Sequence, residues 1–335
     1  MRHLLPRAPI FIERVLDDPS VIHELIQRGG RYPTVQRYLK NLTEMAALSD
    51  AGRSSDGRQL SASSPMIIAP WFRGDWALET PLIDGLEPLF QHRGFRSAAS
   101  DMFESDLVEP FQVYLNLTTP MPRVDPGHID VPSFRGFDRR SEPVWLLVTM
   151  MKSGLFERYY IPTVTAVAWY YEGEAGGFRY YPAGPEGEPV DLACRSNTAI
   201  VGDNDRMFHA VDRVGRRGAP ILGGLSLESS IALDGDRYIV RDGERTLAEF
   251  DMHEVRISVS WKARVFLSGE EKALFDEGRD LLTLEKVEST FMDALRERGI
   301  DTDPPEDLRT DERFMRILND AFHVTPRRRR PQPVA

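Results

Sequence analysis

Seven histidines are scattered along the chain, and one of them, His128, stands two residues before a carboxylate in Pro126-Gly127-His128-Ile129-Asp130-Val131-Pro132. In an extended segment residues i and i+2 point the same way. His128 and Asp130 therefore project together, while Ile129 and Val131 turn into packing. An imidazole nitrogen and a carboxylate oxygen from one short strand are two adjacent ligands for a divalent metal. Two histidines and one carboxylate on a triangular face of an octahedron leave the opposite face open, which suits ferrous iron in oxygenases; manganese, cobalt or nickel accept similar ligands. His-x-Asp alone is weak, because a surface histidine beside a carboxylate gives the same pattern.

A third ligand is offered about 80 residues later. Residues 197–214 read as an apolar strand, a polar turn at Asp203-Asn204-Asp205, and a second alternating strand opened by His209. Further on comes Arg256-Ile257-Ser258-Val259-Ser260-Trp261. On a strand Arg256, Ser258 and Ser260 share one face, and Ile257, Val259 and Trp261 the other. An inward guanidinium with a neighbouring hydroxyl is a clamp for a carboxylate, and a buried arginine requires an anion. That anion is either a ligand or a core Asp or Glu.

His-x-Asp, a distant His and a later Arg-x-Ser together resemble the iron(II)- and 2-oxoglutarate-dependent dioxygenases. The Gly176-Gly177 strand, the Asn197-Thr198 strand and the approach from Asp203 to His209 are similar to the prolyl-hydroxylase-like branch, over roughly residues 110–266. The resemblance implies a double-stranded β-helix (a jelly roll, cupin-like). It implies iron on His128, Asp130 and His209, and the distal carboxylate of 2-oxoglutarate on Arg256 and Ser258. Tyr114 and Asn116, on the strand before the metal turn, match positions that help hold this cosubstrate. With dioxygen such a centre hydroxylates an unactivated C–H and releases succinate and carbon dioxide. Related halogenases replace the carboxylate ligand by a small residue, so Asp130 makes hydroxylation the default. One departure concerns spacing: Arg256 lies 47 residues after His209, across an insertion at 215–254. Arg216 and Arg217 stand closer to the usual interval, but they occupy a Gly-flanked turn.

Positioning these residues requires a β core. From 66 to about 267 short apolar or alternating runs are separated by Gly, Pro and Asp. Strands are predicted at 111–117, 164–171, 178–181, 198–201, 208–214 and 255–266, a hairpin at 236–250 around Asp242-Gly243, and a helix at 144–159 carrying Trp145, Phe156, Tyr159 and Tyr160 into the core. A domain of this texture becomes a sandwich, jelly roll or barrel. Before it, residues 1–65 read as an N-terminal helical segment, with helices from Pro19-Ser20 to Gly29-Gly30 and over 33–48, then a polar Gly/Ser-rich loop at 51–64. After it, 268–323 is helical, and 324–335 is a basic Pro/Arg tail with four arginines at 327–330. The fold class is thus mainly β with flanking helices.

The chain has 335 residues, 41% of them hydrophobic, 28% charged and 10% aromatic, enough for a sizeable core. Its net charge of -10 gives a nucleic-acid partner no electrostatic footprint. The single cysteine excludes an internal disulfide and points to a reducing, cytoplasmic setting. No apolar run reaches the length of a membrane span. The expected partner is a small carboxylate-bearing substrate, an amino acid or specialised metabolite, with Arg123, Arg135 and Trp169 as candidate contacts. Arginines 123, 135, 139 and 140 paired with Asp125 or Asp138 are the alternative. The helical ends suit a homodimer interface or a lid. Two other functions stay open: a protein prolyl hydroxylase, and a cupin-like metal enzyme or binding protein that uses no 2-oxoglutarate.

Overall fold

A computed structural model describes residues 2–35, 68–122 and 127–327. The expected helix beyond residue 35, the loop at 51–64, Arg123, Asp125 and the tail from 328 onward lie outside the described residues.

The strands in chain order are β1 (Ile10–Ile12), β2 (Arg31–Pro33), β3 (Trp71–Leu78), β4 (Thr80–Pro81), β5 (Val108–Thr118) and β6 (Ser133–Phe134). Then come β7 (Tyr160–Ile161), β8 (Thr163–Trp169), β9 (Phe178–Tyr180), β10 (Val190–Leu192) and β11 (Thr198–Gly202). They end with β12 (His209–Val211), β13 (Ser229–Asp234), β14 (Arg237–Asp242), β15 (Arg245–Asp251) and β16 (Arg256–Val265). A seven-stranded sheet runs β1-β11-β8-β16-β5-β3-β4, and a three-stranded sheet runs β10-β9-β12. Every strand pairing within both is antiparallel among the described residues. The two sheets face each other: Val167, Trp169 and Ile200 of the larger pack with Phe178 and Tyr180 of the smaller.

β16 lies in the middle of the large sheet and both its faces are buried. Ile257, Val259, Trp261 and Ala263 enter the largest apolar cluster, beside Phe95, Ala99 and Val113. The helix Arg93–Phe103 supplies Phe95, Ala98, Ala99, Met102 and Phe103 to that cluster, a stripe at helical spacing. Its N-terminus is capped by His92, whose ring accepts from the Phe95 N–H. The other face of β16 carries Arg256, Ser258, Ser260 and Lys262, turned towards the small sheet.

Several expectations need correction. The predicted helix 144–159 stops at Ser153, because Gly154 adopts a left-handed φ of 68°. Tyr160 then belongs to β7, not to a helix. The expected strand 208–214 pairs regularly only over His209–Val211. Residues 2–35 are not purely helical: besides the helix Val21–Gly29 they add β1 to the large sheet, and Pro33 ends β2 instead of starting a helix. The hairpin turn at Asp242-Gly243 is where the pattern placed it, between β14 and β15. β15-β14-β13-β2 form a separate sheet, and Tyr32, Ile231, Tyr238 and Val240 pack into the cluster with Phe72 and Trp76, on the face of the large sheet away from Asp130.

The helices Gly269–Asp276, Leu284–Glu297 and Glu312–Ala321 follow β16. Val287, Phe291, Leu295, Phe314 and Leu318 join Ile129, Phe134, Trp145 and Phe208 in a second cluster behind the metal-ligand segment. No helix of the described residues is long and apolar enough to cross a membrane.

Candidate metal and cosubstrate site

The segment at 127–131 is extended but pairs with β12 only through an isolated bridge: the His128 N–H donates to the His209 carbonyl at 2.9 Å, and the His209 N–H to the His128 carbonyl at 2.8 Å. The Asp130 N–H donates to the Asn204 carbonyl at 2.9 Å, so the turn before His209 holds the carboxylate ligand in place. Ile129 is buried in the second cluster and Val131 packs against it. The result is that His128, Asp130 and His209 each bring one ligand atom within 4.8 Å of the others.

His209 is oriented as a ligand. Its Nδ1 lies 2.9 Å from the Met207 carbonyl, which can only accept, so Nδ1 carries the proton. Nε2 then faces Asp130 Oδ1 at 3.6 Å, and the ring stacks on Phe178 with centroids 5.3 Å apart. A backbone carbonyl on the far nitrogen is the usual outer support of a metal-bound histidine. On Asp130, Oδ2 receives Lys262 Nζ at 2.8 Å and the Thr165 hydroxyl at 2.9 Å. Burial opposes its ionisation, but the Lys262 ammonium and His209 hold the carboxyl well below the usual range. The donor set is therefore a carboxylate and two imidazoles, which fits a divalent ion of the ferrous type.

Arg256 is 2% exposed. Its Nε donates to the Gly176 carbonyl at 2.7 Å and Nη1 to Ser258 Oγ at 3.1 Å, while Nη2 is buried with no partner. Burial pushes its pKa down, with only Cys194 and Tyr171 acting against that. Among the described residues no carboxylate pairs with it. A buried guanidinium edge without an acceptor fits a carboxylate ligand. Gly176 matters here: its φ is 72°, and a Cβ would sit 3.0 Å from Arg256 Cδ.

Tyr114 and Asn116 stand opposite Ser260 and Ser258 in the β5–β16 register, on the same inward face. Asn116 Oδ1 accepts from Trp71 Nε1 at 3.1 Å. The Tyr114 ring lies under the Arg73 guanidinium at 3.5 Å. Trp169, opposite Ser258 across β8, is 1% exposed and packed on Phe178. Arg135 is not brought to the triad by any contact: it pairs with Asp280 at 2.9 Å and donates to the Arg158 carbonyl, as a structural arginine. Arg140 likewise pairs with Asp138, and Arg216 and Arg217 are exposed.

Lys262 and Thr165 were absent from the sequence expectation, as were Arg73, Asp75 and Gln112, which line the same face beside Tyr114. Asp75 Oδ1 accepts from Gln112 at 3.0 Å and Arg73 at 3.3 Å. The signal for Lys262 was available: it continues the Arg256-Ser258-Ser260 alternation, so it had to face inward.

No family model and no curated protein matches the chain. Solved structures are similar in part. An oxidoreductase of the 2OG-Fe(II) oxygenase family from Burkholderia pseudomallei shares 11% identity, with 77% of this chain and 85% of that one covered and a TM-score of 0.40. HygX from Streptomyces hygroscopicus, with nickel, 2-oxoglutarate and hygromycin B bound, shares 10% over 77% and 83%, TM-score 0.37. A prolyl-4-hydroxylase from Pseudomonas putida shares 12% over 58% and 72%, TM-score 0.30. At scores this low the likeness carries no weight of its own; the weight lies with His128, Asp130, His209 and Arg256.

Proposed function

We propose that this chain is a non-haem iron(II)- and 2-oxoglutarate-dependent oxygenase on a double-stranded β-helix, hydroxylating a C–H of a small carboxylate-bearing molecule. What supports the fold is strand order: β11-β8-β16-β5 face an opposing set formed by the His128 segment, β12, β9 and β10. The observation that carries the function is the unpartnered Arg256 Nη2 on the same face as a His-Asp-His triad. A cupin-like enzyme without a keto acid has no use for that buried cation.

Iron with 2-oxoglutarate supplies the dioxygen chemistry, with succinate and carbon dioxide as coproducts. The protein's own part is placement. His128, Asp130 and His209 would hold the iron and leave it room for exchangeable ligands. Arg256, fixed by Gly176 and Ser258, takes the far carboxylate of the keto acid, so that it is oriented as well as retained. Trp169 and Phe178 keep the space between the sheets apolar. The polar wall of Arg73, Asp75, Gln112 and Tyr114 supports a polar, carboxylate-bearing substrate. The single cysteine fits the cytoplasm proposed for it.

The test is anaerobic titration of apoprotein with ferrous iron and then 2-oxoglutarate, following the visible charge-transfer band of the chelate. Wild type develops the band, His209→Ala does not, and Arg256→Ala needs about tenfold or more keto acid, as for loss of a charged hydrogen-bond pair. Iron binding by wild type without a band at any keto-acid concentration rules out the cosubstrate.

A further inference from the structure

Lys262 is a buried amine that the coordination chemistry above does not use. It reaches Asp130 from β16 while Thr165 reaches it from β8, and both contact the same oxygen, Oδ2. The other oxygen, Oδ1, is the one beside His209 Nε2. The two carboxylate oxygens thus have different surroundings before any metal arrives. We propose that Lys262, with Thr165, is a positioning residue that restricts Asp130 to one-oxygen coordination and so keeps a metal position open for the chelating cosubstrate. The inference rests on the oxygenase reading for the identity of that cosubstrate, but not for the coordination itself.

The physical case is one of competition. A free carboxylate beside a divalent ion can swing to bind through both oxygens, which occupies two neighbouring positions instead of one. On an octahedral ion already holding two histidines, that leaves one position fewer for outside ligands. An ammonium at 2.8 Å and a hydroxyl at 2.9 Å on Oδ2 oppose the swing, because both hydrogen bonds break when that oxygen turns to the metal. Lys262 is confined: its side chain is 9% exposed and its strand is hydrogen-bonded to β5 on one side and β8 on the other. A two-point chelator such as a keto acid is the ligand most sensitive to the loss of one position.

Mn(II) is the probe. The waters on protein-bound Mn(II) are counted by pulsed EPR in isotopically labelled water, for wild type, Lys262→Met, Lys262→Arg and Thr165→Val. Wild type and Lys262→Arg should hold the same number of waters, and Lys262→Met one fewer, with 2-oxoglutarate binding weakened about tenfold, the lower end for loss of an outer support. A Lys262→Met protein that keeps the wild-type count and keto-acid affinity overturns the proposal. So does one that loses metal altogether while remaining folded by circular dichroism. Should Lys262→Met not fold, Thr165→Val decides: fewer bound waters support the role, an unchanged count ends it. If 2-oxoglutarate displaces no waters from wild-type Mn(II), the oxygenase reading has failed, and the water counts of the variants still judge Lys262.

Discussion

Asp130 and Asp205 lie close enough to feel one another and are driven in opposite directions. Asp205 is fully buried and is raised to about 8, chiefly by burial, with the Lys262 charge opposing and Asp130 and Asp203 reinforcing the rise. Its Oδ2 accepts from the Tyr160 hydroxyl at 3.2 Å. An unfolded aspartate titrates near 3.9. Between about 4 and about 8 the folded chain therefore holds a proton that the unfolded chain has lost, and stability falls as pH rises through that window. Replacing Asp205 by Asn removes this dependence. In urea unfolding at several pH values the wild type should lose up to about 1.4 kcal/mol per pH unit relative to the Asp205→Asn protein. Parallel curves would mean that Asp205 is ionised in the fold. A second residue-scale expectation concerns Gly176→Ala. The left-handed φ costs about 1 kcal/mol, and the new methyl presses on Arg256 Cδ, so the keto-acid requirement should rise while iron affinity stays unchanged. The convergence of His128, Asp130 and His209 and the burial of Arg256 were legible because each rests on alternation along a strand. Lys262 lies on the same alternation and could have been read with them; Arg73 and Asp75 could not, because charged residues in an interrupted apolar run read as surface until a neighbouring strand buries them.

At the scale of elements, strands 5, 8, 11 and 16 stood out through alternation or apolar runs bounded by turns. β3 was missed because Arg73, Gly74 and Asp75 interrupt its apolar residues. Their partners are on β5, and a single segment does not contain that information. The helix Arg93–Phe103 carried a full apolar stripe but sat in a region whose texture was β. The helix from Val144 overran by several residues because an apolar run gives no end point; the end point is Gly154. Its φ of 68° and the His3 ring, 2.7 Å from where a Cβ would lie, predict that Gly154→Ala costs about 1 kcal/mol or somewhat more. Thermal unfolding measures it, and an unchanged midpoint would show that the helix end relaxes freely.

Over the whole molecule, the C-terminal helices and the metal segment share one apolar cluster. Phe291 is fully buried there, in edge contact with Phe156, which in turn meets Phe134. Phe291→Ala should cost about 3–5 kcal/mol and, unlike a cavity on the far side of the large sheet such as Trp261→Ala, should also weaken metal binding in calorimetry. Equal metal affinity in both variants would separate the helices from the site. That cluster was invisible in the sequence, since it joins residues more than 150 positions apart. The central place of β16 has a consequence in time. It pairs with β5 and β8, yet it is synthesised some 90 residues after β8 and 140 after β5. Until it emerges, two long apolar strands have open inner edges, exposed to wrong partners. Because it also carries Arg256 and Lys262, a nascent chain can gather His128, Asp130 and His209 well before the buried guanidinium and ammonium reach them. Completion of the pocket is deferred to the arrival of one strand.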